Sequence, residues 1–260
     1  MSTDNKEFYD LLNSIVDEQT FSLDLCSDGK SVSCKQLSTA QLKELIKTVV
    51  DSPLTQAAFN SVATKIFQNS LAESLSFPLN VIDRLLFLLE TRTQSISRYI
   101  TMINDDEDQI VIDIDLVKQN LHQNIKENIE CFLPQTISNE KMSVIVDVPE
   151  LTTETQLNDE IYKNLDLDVD SPEQLRSFIG DAFVYEIAKH LKHIEIKDAN
   201  QSLDLSSVSF DERVKIVQTL PASLIQDVVA YIEKQKHILE NCLVVDGFYL
   251  GIDSTFFTLR

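Results

Sequence analysis

The stretch Phe21-Ser-Leu-Asp-Leu-Cys-Ser-Asp-Gly-Lys-Ser-Val-Ser-Cys-Lys35 decides the fold class. Apolar Phe21, Leu23 and Leu25 alternate with Ser22, Asp24 and Cys26, and after Ser27-Asp28-Gly29-Lys30 the residues Val32 and Cys34 alternate with Ser31, Ser33 and Lys35. A period of two is the signature of a strand with one buried face. Asp28-Gly29 suits the two central positions of a tight turn, where both residues need a left-handed backbone. A two-residue turn pairs Ser27 with Lys30, Leu25 with Val32 and Leu23 with Cys34. Phe21, Leu23, Leu25, Val32 and Cys34 then share one face, and the two strands agree on it. In that register Cys26 lies opposite Ser31, so the two thiols point to opposite faces of the hairpin and cannot bridge.

Outward from the hairpin the period changes to that of helices. Residues 4–18 place Phe8, Leu11, Leu12 and Ile15 at helical spacing. Ser38 and Gln41 form a capping-box pattern that opens a helix carrying Leu42, Leu45, Ile46 and Val49. Ser52-Pro53 starts a second helix to about Glu73. Pro78 precedes a third, with Ile82, Leu85, Leu86, Leu89, Ile96 and Ile100 in a wide apolar stripe. Asn104 to Asp108 is an acidic break. Beyond it, Ile110, Ile112 and Ile114 alternate with Val111, Asp113 and Asp115, and Met142 to Val148 reads as a strand ended by Pro149. Between them, Leu116 to Phe132 permits a helix or strands. The remainder reads as helical. Ser171-Pro172-Glu173 starts a helix with Leu175, Phe178, Ile179, Ala182, Phe183 and Ile187 on its apolar face. Pro221 starts another with Ile225, Val228, Val229, Ile232 and Leu239, and Asp246-Gly247 closes the chain with a hairpin between Leu243–Val245 and Phe248–Leu250. The expectation is an α+β fold, mainly helical, with an N-terminal β-hairpin, a small β-rich middle segment and a C-terminal hairpin. Its expected divisions are 1–103, 104–150 and 151–260.

Composition narrows the function. The 260 residues are 43% hydrophobic and 25% charged, which suits a packed globular core. A net charge of −20 repels phosphate, so nucleic acid and an anionic membrane surface are poor partners. It favours basic ones. No purely apolar run approaches the roughly 18 residues of a membrane span. Met1 to Asp10 lacks the basic and apolar regions of a secretory signal, so the protein is expected to stay in the cell that makes it. Only four glycines are present, and neither a phosphate-binding loop nor a dinucleotide fingerprint occurs. Cys26, Cys34, Cys131 and Cys242 form no C-x-x-C pair, and reduced, partly buried thiols are expected.

Three clusters invite a functional reading, and each has a plainer one. Asn164, Asp166, Asp168 and Asp170 alternate like calcium-loop ligands. A loop begun at Asp166 would put Ser171 and Ser177 where glycine and glutamate are required, so a solvated linker running into a helix cap is the expectation. His190 and His193, with Glu186 one turn earlier, have a spacing that can share a metal on a helix; surface histidines near a helix end, favoured by its dipole, are the plainer reading. The run Asp105, Asp106, Glu107, Asp108 reads as a solvated loop, with a basic partner as the alternative. No nucleophile motif is present, and no catalytic Ser, His and Asp set can be recognised from spacing. The chain is therefore not expected to be an enzyme, and no catalytic, cofactor-binding or metal-ligating residue is assigned.

Several stretches, taken in order, carry a family likeness. They are the hairpin with Val32, Leu37-Ser38 and the Leu42 to Leu45 helix; the segment Asp83-Arg-Leu-Leu-Phe-Leu-Leu-Glu-Thr-Arg-Thr-Gln-Ser95 with Ile96; the β-rich middle ending at Val144 to Pro149; and the helical C-terminal part with its hydrophobic hairpin. In these the chain resembles the baseplate hub subunits and hub assembly proteins of T-even-type contractile-tailed phages. The resemblance implies a late viral protein made in the host cytoplasm, with other hub or tail proteins as partners and no cofactor. It implies action by protein–protein contact in virion assembly, and leaves open whether the protein stays in the tail baseplate. The residues leave its oligomeric state open too. A host-type cytoplasmic adaptor and an enzyme without a recognisable motif are the alternatives.

Overall fold

The structure, a computed structural model, describes residues 19–27, 29–47, 55–103, 109–164, 172–252 and 254–257. The expected helix over 4–18, Asp28, the Ser52-Pro53 boundary, the acidic run 105–108, and Asp166, Asp168, Asp170 and Ser171 lie outside the described residues, as do the side chains of Leu175, Phe178 and Ile179.

The order begins with β1 (Thr20–Asp24), β2 (Ser31–Lys35), α1 (Thr39–Lys47), α2 (Thr55–Ser70), α3 (Val81–Ser95), β3 (Tyr99–Ile103), β4 (Gln109–Asp113) and α4 (Ile114–Glu127). It continues with β5 (Gln135–Ser138), β6 (Met142–Val146), α5 (Leu151–Asn164), α6 (Pro172–His190), β7 (Leu191–Ile196), β8 (Gln201–Asp204), α7 (Phe210–Thr219), α8 (Ala222–Cys242), β9 (Val244–Val245) and β10 (Phe248–Tyr249). The fold is α+β, with eight α-helices among the described residues and small antiparallel sheets, including the N-terminal and C-terminal hairpins.

Two compact units divide the chain: Met1–Gln123 with Cys242–Arg260, and Asn124–Asn241. This differs from divisions at 103 and 150. Pairing of β6 with β7 joins the β-rich middle to strands far along the chain, and the last hairpin belongs to the first unit.

In the first unit, local signals in the sequence are realised at both ends. Ser38 donates its backbone N–H to Gln41 Oε1 (2.9 Å) and accepts the Gln41 N–H on its hydroxyl (3.3 Å), the reciprocal cap of α1. Asp246 (φ 51°) and Gly247 (φ 83°) both take the left-handed backbone that a two-residue hairpin turn requires, and Leu250 N–H closes onto Leu243 O at 2.7 Å. The first hairpin keeps its buried face, with Phe21, Leu23, Leu25 and Cys34 all in the core. Its register is not the expected one. Leu23 pairs with Val32 and Phe21 with Cys34, and Leu25 N–H meets Lys30 O at 2.8 Å, so the loop is longer by two residues. A shift of two preserves every facing because side chains alternate with period two.

Asp83 explains the longer loop. Its carboxylate is fully buried (0% exposed) at the start of α3. One oxygen accepts the backbone N–H of Cys26 (2.9 Å) and of Ser27 (3.1 Å). The other accepts that of Asn80 (3.0 Å), whose own side chain caps the helix through Ile82 and Asp83 N–H. The turn amides are thus bound to Asp83 instead of closing a two-residue turn.

Above this anchor, Phe87 stacks on Phe67 (centroids 4.5 Å apart) and on Phe21 (6.3 Å), and Leu86, Leu88 and Leu89 are buried beside them. The helix ends at Ser95, so Ile96 follows its end and Ile100 lies in β3 rather than in the helical stripe. The ambiguous stretch after Leu116 is helical. Asp113 Oδ1 accepts Asp115 N–H (3.0 Å) and caps α4, which takes Ile114 out of the expected strand.

The second unit holds the sheet β5-β6-β7-β8. Its core gathers Val144, Val146, Ile187, Leu191, Ile194, Val217, Val228 and Ile232. Here the expectation of a C-terminal part that is helical up to its closing hairpin is corrected: Leu191–Ile196 and Gln201–Asp204 are strands.

Replacing Asp83 with alanine strands buried N–H donors at a helix cap and a turn together. The cost should be about 2–4 kcal/mol, read as a lowered urea midpoint. An unchanged midpoint would show that the carboxylate does not hold the hairpin to α3.

Candidate functional site

In the first unit, one polar groove of about 310 Å³ gathers the densest titratable set. Helix α4 presents Asp115, Lys118, Gln119 and His122, which its periodicity places on one face. Facing them are Asp24 of β1, Glu90 of α3 and Arg98.

Both cations in the groove are already satisfied. Lys118 bonds Glu90 and also Asp115 (2.6 Å). Arg98 holds Asp113 through a fork, Nε to Oδ1 at 2.7 Å and the terminal nitrogen to Oδ2, and reaches Asp115 at 3.1 Å. Hydrogen bonding to Asp113 holds the guanidinium pKa up and the Asp113 carboxyl down. The groove's two cations are paired within it and carboxylates outnumber them, so it offers no free anion site.

Cys26 Sγ lies 3.6 Å from His122 Nδ1. A spacing of 96 residues hides this pair from any local motif. The geometry resembles a nucleophile and its base, but the electrostatics oppose that chemistry. Burial first, then the nearby Asp83 and Asp24 charges, push the Cys26 thiol up from 9.0 to about 12. Reactive cysteines need the reverse, a cationic neighbour or a helix N-terminus that favours thiolate. Cys34 is pushed up to about 12 as well, mainly by burial. The four cysteines are free, with Cys34, Cys131 and Cys242 buried.

The candidate histidines of the second unit are not brought together as a helical pair. His190 is the last residue of α6, and His193 lies in β7. The reading of His190 as a surface residue is corrected: it is buried, and its Nδ1 lies 3.0 Å from Asp147 O. Its Nε2 is 3.7 Å from Glu186, which also binds Lys189 (2.5 Å) and Lys236 (3.2 Å). Burial lowers the imidazole pKa against the pull of Glu186. Burial acts to raise Glu186, but His190 and Lys189 outweigh it and hold that carboxyl well below the ordinary range. Among the described residues no group of three or more His, Cys, Asp or Glu side chains is placed to hold a metal.

Another element of the first unit exposes apolar side chains. Strands β3 and β4 form a two-stranded ribbon pairing Thr101 with Val111 and Ile103 with Gln109. Tyr99 (53% exposed), Ile103 (61%) and Val111 (66%) stand on its outer side, while Ile112 is buried on the other. The sequence pattern marked these strands only in part, because a half-buried ribbon and an open one alternate in the same way.

Comparison with protein-family models, with curated proteins and with solved structures returns no match.

Two outcomes follow. Raising the thiol from 9.0 to about 12 leaves about a thousandfold less thiolate, so iodoacetamide should alkylate native Cys26 far more slowly than a free thiol at pH 8; rapid labelling mapped to Cys26 would contradict the buried thiol. For His190, a folded pKa below the ordinary 6.5 means that its contribution is present above that value and lost as pH falls through the folded one. The urea midpoint should fall on acidification from pH 7 to pH 5, and His190→Asn should flatten that fall. Equal slopes would remove His190 as the cause.

Proposed function

We propose that the chain is a subunit or assembly factor of the baseplate hub of a contractile-tailed phage and acts by protein–protein contact, without catalysis. The observation that carries the contact reading is the β3–β4 ribbon. Three large apolar side chains stand on one side of it, more than half exposed. A two-stranded ribbon is marginal on its own, and apolar surface grouped in one place marks interaction sites more often than scattered residues do. The hub assignment draws on the likeness of the Phe21–Lys35 hairpin and the Asp83–Ser95 segment to hub proteins. A net charge of −20 favours a basic hub partner and disfavours nucleic acid. Among the described residues no helix is long and apolar enough to cross a membrane.

The absence of an activated nucleophile at Cys26 and the pairing of Lys118 and Arg98 support the non-enzymatic reading. An adaptor in a host cell would use the same kind of surface, so the deciding measurement is made in infected cells.

Deleting the gene from its phage should leave heads assembling while hubs and infectious particles are lost. A plasmid copy should restore infectivity, and a copy carrying Ile103→Lys and Val111→Lys should not, although both sites are exposed and the protein should keep its melting temperature. Infectious, contractile tails from the deletion phage would end the hub reading. Full complementation by the double variant would end the ribbon's part in it.

A further inference from the structure

Strand β8 ends the four-stranded sheet of the second unit, and all four of its residues are exposed. Beside it runs a slot of about 620 Å³, walled on the sheet side by Met142, Ile194, Ile196 and Leu203 and on the other by Ile216 and Thr219 of α7 and by Leu220, which follows the helix. The sheet wall is one continuous face. Met142 pairs with Ile196 and Ile196 with Gln201 across three strands, and Ile194 pairs with Leu203 in the next row but one. Ile216 and Thr219 are three apart, so they share one side of the helix.

Gln201, Ser202 and Leu203 all line the slot. Successive strand residues point to opposite faces, so three in a row put the backbone of β8 as well as its side chains against the slot. Among the described residues no strand pairs with that edge. A strand edge with no neighbouring strand beside an apolar trough is the arrangement that binds an extended peptide: main-chain bonds supply affinity and alternate side chains enter the trough.

Charge says which segment fits. None of the lining residues is charged, whereas exposed Asp198 stands in the turn before β8 and exposed Asp204 at its end. A second copy of this chain would bring the same acidic ends and a net charge of −20 to the contact. We propose that the β8 edge binds an extended segment of a different protein, one that pairs with β8 as an added strand, places aliphatic side chains at alternate positions in the slot and carries basic residues at its ends. The slot, its edge and its charge make this case without the hub assignment, and the two can fail separately.

The probe is a display library of random peptides about ten residues long, panned on the full chain. Enriched peptides should alternate aliphatic with polar residues and carry lysine or arginine near their ends. A synthetic peptide of the enriched sequence should bind with a Kd of about 1–100 µM by fluorescence anisotropy. Leu203→Glu should weaken binding at least about tenfold. Ile196→Glu on the neighbouring strand should do the same, and both residues are 40% or more exposed, so the fold should tolerate either change. Backbone amides of 201–204 should exchange more slowly in the complex. No enrichment, aliphatic residues at helical spacing, acidic ends, or affinity indifferent to both substitutions would overturn the proposal. A concentration-dependent dimer dissolved by Leu203→Glu would also overturn it, in favour of a second copy.

Discussion

The Asp83 carboxylate is the constraint on which the first unit depends. Placing a carboxylate out of reach of water costs several kcal/mol unless its oxygens are bonded. Here they accept N–H groups from Asn80, Cys26 and Ser27. Burial still raises its pKa, with the backbone bonds of Asn80, Ser27 and Cys26 opposing. Two segments distant in sequence therefore meet at two oxygen atoms: the hairpin turn and the capped start of the helix. Because the loop's N–H groups are held there, the strands pair two residues out of the register that the turn sequence favours. The Phe21–Phe87–Phe67 stack forms only with the hairpin seated on α3, so aromatic packing and the buried carboxylate reinforce each other.

Which features were legible in the sequence follows from how local their causes are. The Ser38–Gln41 cap and the Asp246-Gly247 turn depend on residues within four positions of each other, and both are found where expected. The faces of β1 and β2 survived a wrong register because period two forgives an even shift. The strand Leu191–Ile196 did not show itself. It follows His190 with no glycine or proline to mark the change, and its Leu-Lys-His-Ile spacing fits a helix as well as a strand. Only pairing with β6, some 50 residues away in sequence, makes it a strand. Ile100 was misplaced for the same reason, since the end of α3 carries no proline or glycine.

The chemistry was harder to read than the fold. His190 and His193 looked like a metal pair only while both were taken to be helical. Once the helix ends between them, the spacing loses its meaning. The Cys26–His122 contact joins a hairpin to a helix and has no sequence signal at all. Its proximity alone would suggest a nucleophile. Burial of the thiol opposes that inference, and the Asp83 charge that fixes the turn adds to the opposition. The residue that anchors the hairpin thus also disfavours a thiolate beside it.

A consistent division of labour runs through both units. Charged groups near or inside the core are answered within the chain: Lys118 by Glu90 and Asp115, Glu186 by Lys189 and Lys236, Arg213 by the Ala188 and Leu205 carbonyls. Among the described residues, apolar surface stays open on the β3–β4 ribbon and the outer edge of β8 pairs with no strand, while inside the fold Ser61, Thr91, Thr155, Asn158 and Arg92 Nε bury polar atoms without a hydrogen-bond partner. Open apolar surface and an unpaired strand edge are what the proposed contact function would use, because each gains free energy when a partner covers it.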